Sequence, residues 1–91
     1  MKSYKKNDRE IIVEAELYRE GLESGFYDPK KNTYSKKRKN KRQKPFVTAS
    51  YCGEIKKITV DEGKHYIVKS KGYTFIFKKE WFEENYQELN D

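Results

Sequence analysis

The chain has 91 residues, of which 40% are charged and 34% are hydrophobic. That length holds one domain of ordinary size, and the small apolar share excludes a large core. A single cysteine and a single histidine exclude an internal disulfide and a Cys/His zinc site, and no apolar run approaches the roughly 20 residues of a membrane span. The net charge is +6. We therefore expect a small basic cytoplasmic protein with no metal, no cofactor and no membrane segment.

The first segment in chain order, residues 1–9, is basic and polar and lacks the apolar stretch of a signal peptide. We predict a flexible N-terminus there and a single small domain over residues 10–91. In residues 10–18 apolar side chains alternate with glutamates, a pattern that is typical of a half-buried strand. A helix that begins at Asp8 is the alternative, because several apolar side chains would then share one helical face. The alternation favours the strand.

A long basic loop is predicted over residues 29–45, with a proline at each end. Residues 30–44 contain nine bases and no acid, so the rest of the chain has a net charge of −3. Dense like charge around one large apolar group, Tyr34, predicts a segment that is mobile and exposed. The predicted partner-binding residues are these bases together with the tyrosine: Lys30, Lys31, Tyr34, Lys36, Lys37, Arg38, Lys39, Lys41, Arg42 and Lys44.

Four β-forming segments follow the loop: residues 46–51, 55–60, 65–69 and 73–77. Strands this close in sequence predict an antiparallel meander. From Lys79 the apolar period becomes that of a helix, with Phe82, Tyr86 and Leu89 on one face. The predicted fold class is therefore α+β: a small antiparallel β-sheet or partly open barrel of about five strands, with a C-terminal helix and the long basic loop.

Few residues offer catalytic chemistry. Cys52 and His65 would act as nucleophile and base only if the fold brought them together, and no third orienting group is evident. No phosphate-binding glycine-rich loop is present. We predict no enzymatic activity, no catalytic residue and no metal site.

An aromatic strand allows two interpretations. Tyr73, Phe75 and Phe77 alternate as in the base-stacking strand of RNA-recognition and cold-shock domains. The alternative is a core position under Trp81 and Phe82. The core position is favoured, because a chain so poor in apolar residues needs its aromatic side chains inside.

Five stretches of the sequence carry a resemblance to a known family: Ile-Val-Glu-Ala-Glu-Leu-Tyr at 12–18, Gly-Leu-Glu-Ser-Gly-Phe at 21–26, Lys-Pro-Phe-Val-Thr at 44–48, Gly-Lys-His-Tyr-Ile-Val at 63–68 and Phe-Glu-Glu-Asn-Tyr at 82–86. They resemble small proteins from phages and prophages of low-GC bacteria that share a Pro-Gly-Asp-Tyr-Gly motif, the PGDYG-like family. The resemblance implies a compact β-rich domain from a phage or mobile element, acting in the cytoplasm of its bacterial host. It implies no particular activity, and it also favours strand for residues 11–18.

Two functions fit these observations. The first, narrowly favoured, is a non-enzymatic phage or mobile-element protein whose basic loop binds a host protein or ribonucleoprotein complex. Such a protein would modulate or inhibit nucleic-acid processing or a defence system, as CRISPR antagonists do. The second is a direct, weakly sequence-specific DNA- or RNA-binding protein, in which the loop bases neutralise phosphates.

Overall fold

The computed structural model describes residues 1–51 and 53–89, which form two antiparallel sheets and one helix. The strands of the described residues are β1 Lys2–Lys6, β2 Ile12–Leu17, β3 Gly25–Asp28, β4 Thr33–Ser35, β5 Lys44–Tyr51, β6 Glu54–Thr59, β7 His65–Ser70, β8 Tyr73–Lys78 and β9 Tyr86–Glu88. The helix α1 spans Lys79–Asn85. The five-stranded sheet has the order β8-β7-β2-β1-β9, and the four-stranded sheet has the order β4-β3-β5-β6. Neither sheet closes into a barrel.

The five strands that the sequence predicted are confirmed as β2, β5, β6, β7 and β8. Strand rather than helix is therefore correct for residues 10–18. Val13 and Ala15 of β2 are buried, while Ile12 and Glu14, which alternate with them, are exposed. This alternation follows from the two-residue period of a strand that covers a core with one face only.

The predicted four-strand meander is wrong. Its two hairpins form, β5 with β6 and β7 with β8, but they belong to different sheets. Between them the chain crosses from one sheet to the other at Val60, which is almost fully buried and donates its backbone N–H to the Pro45 carbonyl (3.0 Å). Burial of an apolar residue in the connection makes the crossing favourable, and period-two patterns carry no information about it.

Residues 2–6, within the segment predicted to be a flexible N-terminus, form strand β1 in the structure. Strand β1 pairs with β2 on one side and with β9 on the other. Tyr4 anchors it, since its ring lies against Tyr66 (6.0 Å between centroids) and Phe82 (5.0 Å). The lysines of β1 do not prevent this pairing, because their side chains lie at the surface while the backbone makes the ladder.

A single long basic loop over residues 29–45 is not what the structure has. A tight turn after Asp28 leads into β4, which pairs with β3, and β5 begins at Lys44. Only residues 36–43 lie between the strands. The charge density of this segment did not indicate β4, because the strand is fixed by backbone pairing with β3 rather than by apolar side chains of its own.

Two clusters of buried side chains lie on opposite faces of the five-stranded sheet. The first, between the two sheets, includes Val47 and Ala49 of β5 with Ile67 of β7. The second, between the sheet and α1, is centred on Phe82, which is fully buried. The five-stranded sheet is therefore the middle of three layers, with the four-stranded sheet on one side and the helix on the other.

Helix α1 is shorter than the predicted one. It ends at Asn85, and the next residues form β9 beside β1, where the Leu89 N–H donates to the Ser3 carbonyl (2.9 Å). Phe75 and Phe77 of β8 are half-buried against the helix-side cluster, which agrees with the favoured core position. Tyr73 at the start of the strand is exposed.

Candidate functional site

The charge of the molecule is divided between its two sheets. Residues 25–59, which contain all four strands of the four-stranded sheet, have eleven bases and two acids, a net charge of +9. The remaining ten bases and thirteen acids give −3, which completes the +6 of the chain. Nine of these eleven bases lie in residues 30–44, so the positive charge of this layer is concentrated around β4 and the segment between β4 and β5.

All nine bases predicted to bind a partner are exposed to solvent. Among the described residues, the bases of 30–44 form one ion pair, between Arg42 and Asp28. The other ion pairs of the described residues join cations of β1, the N-terminal amine or Arg19 to glutamates and Asp8. Eight cations of the segment therefore have no acidic partner within 4 Å in the described part of the chain.

Asp28 organises the turn between β3 and β4. Its buried carboxylate accepts two hydrogen bonds from the Arg42 guanidinium, both of 2.9 Å. It also accepts the backbone N–H groups of Lys30 (3.0 Å) and Lys31 (3.3 Å). The Arg42 hydrogen bonds, supported by these two backbone donors, hold the pKa of Asp28 well below its usual range, and the same contact raises the pKa of Arg42.

Residues 36–43 are held by a second set of hydrogen bonds. The buried Gln43 side chain accepts the backbone N–H groups of Lys39 and of Asn40 (3.2 Å), and its Nε2 donates to Ser35 Oγ (3.3 Å). Arg38 donates to the Gln43 carbonyl (2.7 Å), and its guanidinium lies over the Phe26 ring (5.6 Å). The segment therefore has a defined shape, contrary to the expectation of a mobile loop.

The predicted site residues thus divide into two groups. Arg38 and Arg42 have internal partners and fix the shape of the segment. The seven lysines make no such side-chain contacts in the described residues and point their ammonium groups into solvent: Lys30, Lys31, Lys36, Lys37, Lys39, Lys41 and Lys44. The predicted set contains both paired and unpaired cations because sequence alone does not indicate which cations have an internal partner.

An open sheet face next to these lysines was missed by the sequence analysis. The register places Tyr27, Tyr34, Phe46 and Lys57 on the outer face of the four-stranded sheet, which no other element of the described chain covers. Tyr34, predicted as an exposed aromatic residue, is 51% exposed. This face forms because β3 pairs with β5, which joins segments about twenty residues apart. The local spacing of residues does not indicate such a pairing.

The other sequence candidates give no second site. Cys52 lies outside the described residues, and His65 Nδ1 accepts the Asp61 backbone N–H (3.0 Å). Within the described chain no three His, Cys, Asp or Glu side chains cluster in a way that would hold a metal ion. Across residues 1–51 and 53–89 no helix has the length and apolar character needed to cross a membrane.

Comparison with known proteins finds no matching family model, no similar curated protein and no similar solved structure. The resemblance to the PGDYG-like family stays a prediction. The function is therefore inferred from the geometry and charge of the four-stranded sheet.

Proposed function

We propose that this protein is a non-enzymatic nucleic-acid-binding protein whose four-stranded sheet and the segment 36–43 contact the phosphate backbone with little sequence preference. One observation carries the proposal: seven exposed lysines without acidic partners lie within residues 30–44, where hydrogen bonds to Asp28 and Gln43 hold both turns in shape. Phosphates are the anions that such an array neutralises, and release of their counterions drives binding. A segment that is ordered before binding loses less conformational entropy on contact.

The number of lysines sets the expected salt dependence. If each of the seven neutralises one phosphate, the slope of log K against log salt is about −6 for duplex and about −5 for a single strand. Affinity then falls roughly 10³- to 10⁴-fold between about 50 and 200 mM salt. Fluorescence anisotropy with labelled DNA and RNA over this range measures the slope directly.

A charge-matched pair of variants tests whether the site is local. Changing four lysines of the segment to serine should reduce the slope by about three and weaken binding strongly at low salt: Lys36, Lys37, Lys39 and Lys41. The control changes four exposed lysines elsewhere to serine and should leave the slope nearly unchanged: Lys2, Lys64, Lys69 and Lys78. Equal losses in the two variants would contradict a local site, and absence of any retention at about 50 mM salt would contradict the function.

A second candidate is a protein that docks on a host nucleic-acid-processing or defence complex. Ile55 on edge strand β6 is 77% exposed and shares the outer face with Tyr34, and apolar and aromatic anchors amid cations are typical of protein interfaces. An affinity pulldown from host lysate, with and without nuclease, separates the candidates. A partner retained after nuclease treatment supports this second function, and a partner lost on treatment supports the first.

A further inference from the structure

The outer face of the four-stranded sheet contains an aromatic ridge, which we define as Tyr27, Tyr34 and Phe46. The Tyr34 ring lies 4.9 Å from that of Tyr27 and 5.2 Å from that of Phe46. Phe46 is buried although it points to the outer face. The Tyr27 hydroxyl donates to Asn32 Oδ1 (2.9 Å). Tyr34 is therefore a half-exposed ring whose orientation is fixed from below, so that a ligand binds it without ordering it first.

Gly25 is the residue that permits this packing. A Cβ there would lie 2.9 Å from the Phe46 ring and 2.8 Å from the Ser35 carbonyl oxygen. Without a side chain at this position, Phe46 lies close to the sheet and Tyr34 rests on it. Tyr34, at the solvent surface of edge strand β4, is thereby held by packing against Phe46.

The exposed ring already holds a cation. Lys57 Nζ lies 4.8 Å from the centroid of the Tyr34 ring. At an exposed site this cation–π contact is weaker than the stacking of a nucleobase on an aromatic side chain. A base that stacks on Tyr34 would therefore displace the ammonium group from the ring, and the displaced cation would stay close enough to contact a phosphate beside that base.

We infer that the nucleic acid is single-stranded and that Tyr34 stacks on one of its bases, while Lys57 and Lys44, which lies opposite Tyr27 in the β3–β5 register, contact the flanking phosphates. This inference rests on the proposed function. The bases of a duplex do not stack on the ridge, because they are stacked on one another and present only their edges in the grooves. An open antiparallel face with an aromatic residue flanked by cations is instead the chemistry that recognises unpaired bases.

The test compares three labelled probes of equal length by fluorescence anisotropy at about 100 mM salt: oligo(dT), a blunt duplex, and an abasic sugar-phosphate strand. The unaltered protein should bind oligo(dT) about tenfold or more tightly than the other two, since stacking of one base accounts for about 5- to 150-fold in affinity. Duplex binding equal to that of oligo(dT), or abasic binding equal to it, overturns the inference. The abasic arm needs no substitution, so it decides the question even where a variant folds poorly.

Two variants give the residue-level readout. Tyr34→Leu retains an apolar cover over Phe46 and should lower oligo(dT) affinity about tenfold while leaving the abasic affinity and the salt slope unchanged. Tyr34→Phe should retain most of the affinity, because the ring and not the hydroxyl makes the stack. An unchanged oligo(dT) affinity in Tyr34→Leu refutes the inference and leaves salt-dependent binding intact. Failure of the protein to bind any of the three probes refutes the proposed function itself.

Discussion

Replacement of Gln43 by alanine tests whether the shape of the cationic segment matters apart from its charge. Gln43 is only 3% exposed, and its side chain makes three hydrogen bonds: it accepts from the Lys39 and Asn40 backbones and donates to Ser35. Each such bond contributes about 0.5–1.5 kcal/mol net. Water reaches the released N–H groups because the turn is at the surface. The expected loss in the free energy of unfolding is therefore near the lower end of the sum for three such bonds, about 1–2 kcal/mol.

The loss in binding should be larger than this stability change suggests. When Lys39 and Asn40 are no longer held, binding has to order them again, and fixing the backbone of one residue costs about 1–2 kcal/mol. For two residues this is at least about 2 kcal/mol, so the affinity for oligo(dT) should fall about 30-fold or more. No charge is removed, so the salt slope should stay the same.

Hydrogen exchange, urea denaturation and anisotropy together check this prediction. The Lys39 and Asn40 amides should exchange faster in the variant, while the amides of β7 in the core remain protected. Gln87→Ala is the matched control, because Gln87 is exposed on β9 at a distance from the cationic sheet. Unchanged exchange at Lys39 and Asn40 would refute the structural reasoning. Faster exchange without a loss of affinity would refute the link between order and binding.

Four further variants test stability. Phe82→Ala should lower the free energy of unfolding by about 3–5 kcal/mol, since Phe82 stacks on Tyr66 at 4.5 Å and is fully buried. Trp81→Ala should lower it by only about 1 kcal/mol because Trp81 is 43% exposed; equal losses in urea denaturation would contradict the described helix packing. Gly25→Ala should cost about 1–3 kcal/mol and alter the near-UV circular dichroism of the aromatic ridge, and a wild-type melting curve would show that the close approach to Phe46 is absent. The lowered pKa of Asp28 means that its carboxylate stabilises the fold fully above its ordinary value of 3.8 and loses this effect as the pH falls through the lower folded-state value. The stability difference between the wild type and Asp28→Asn should therefore shrink on acidification from about pH 5 to 2, and a difference that is constant with pH would argue against the Arg42 pairing.

The local spacing of apolar residues was sufficient to predict a strand where that strand buries its own side chains in a core. Strand β2 and the hairpins β5–β6 and β7–β8 have the alternation or the β-forming composition that burial of one face requires, and helix α1 shows its period from Lys79. Strands β1, β3, β4 and β9 have only three to five residues each and escaped prediction. They exist because their backbone groups pair with a neighbour, as Tyr4 pairs with Glu88 across the length of the chain, and such long-range pairing has no local signature.

In the candidate site, composition indicates which bases are present, but only the tertiary structure shows what each base contacts. The nine bases of residues 30–44 and the exposure of Tyr34 follow from composition. Arg42 and Arg38 stabilise the segment through hydrogen bonds to Asp28 and to the Gln43 carbonyl, whereas the other bases face solvent. These partners come together only when β3 and β5 are adjacent. The contribution of Lys57 could not be foreseen, because it reaches Tyr34 from the far edge of the same sheet.

The amino-acid sequence by itself determined the charge of this protein, the poverty of its core and the position of its main strands, because these depend on composition and on the spacing of apolar residues. The tertiary structure alone decided that the hairpins separate into two sheets and that the cations and the aromatic ridge occupy one outer layer. The physical reason is that strand pairing is made by backbone groups that every residue possesses. The choice of neighbour is therefore settled by packing of the whole chain and not by any one segment of it.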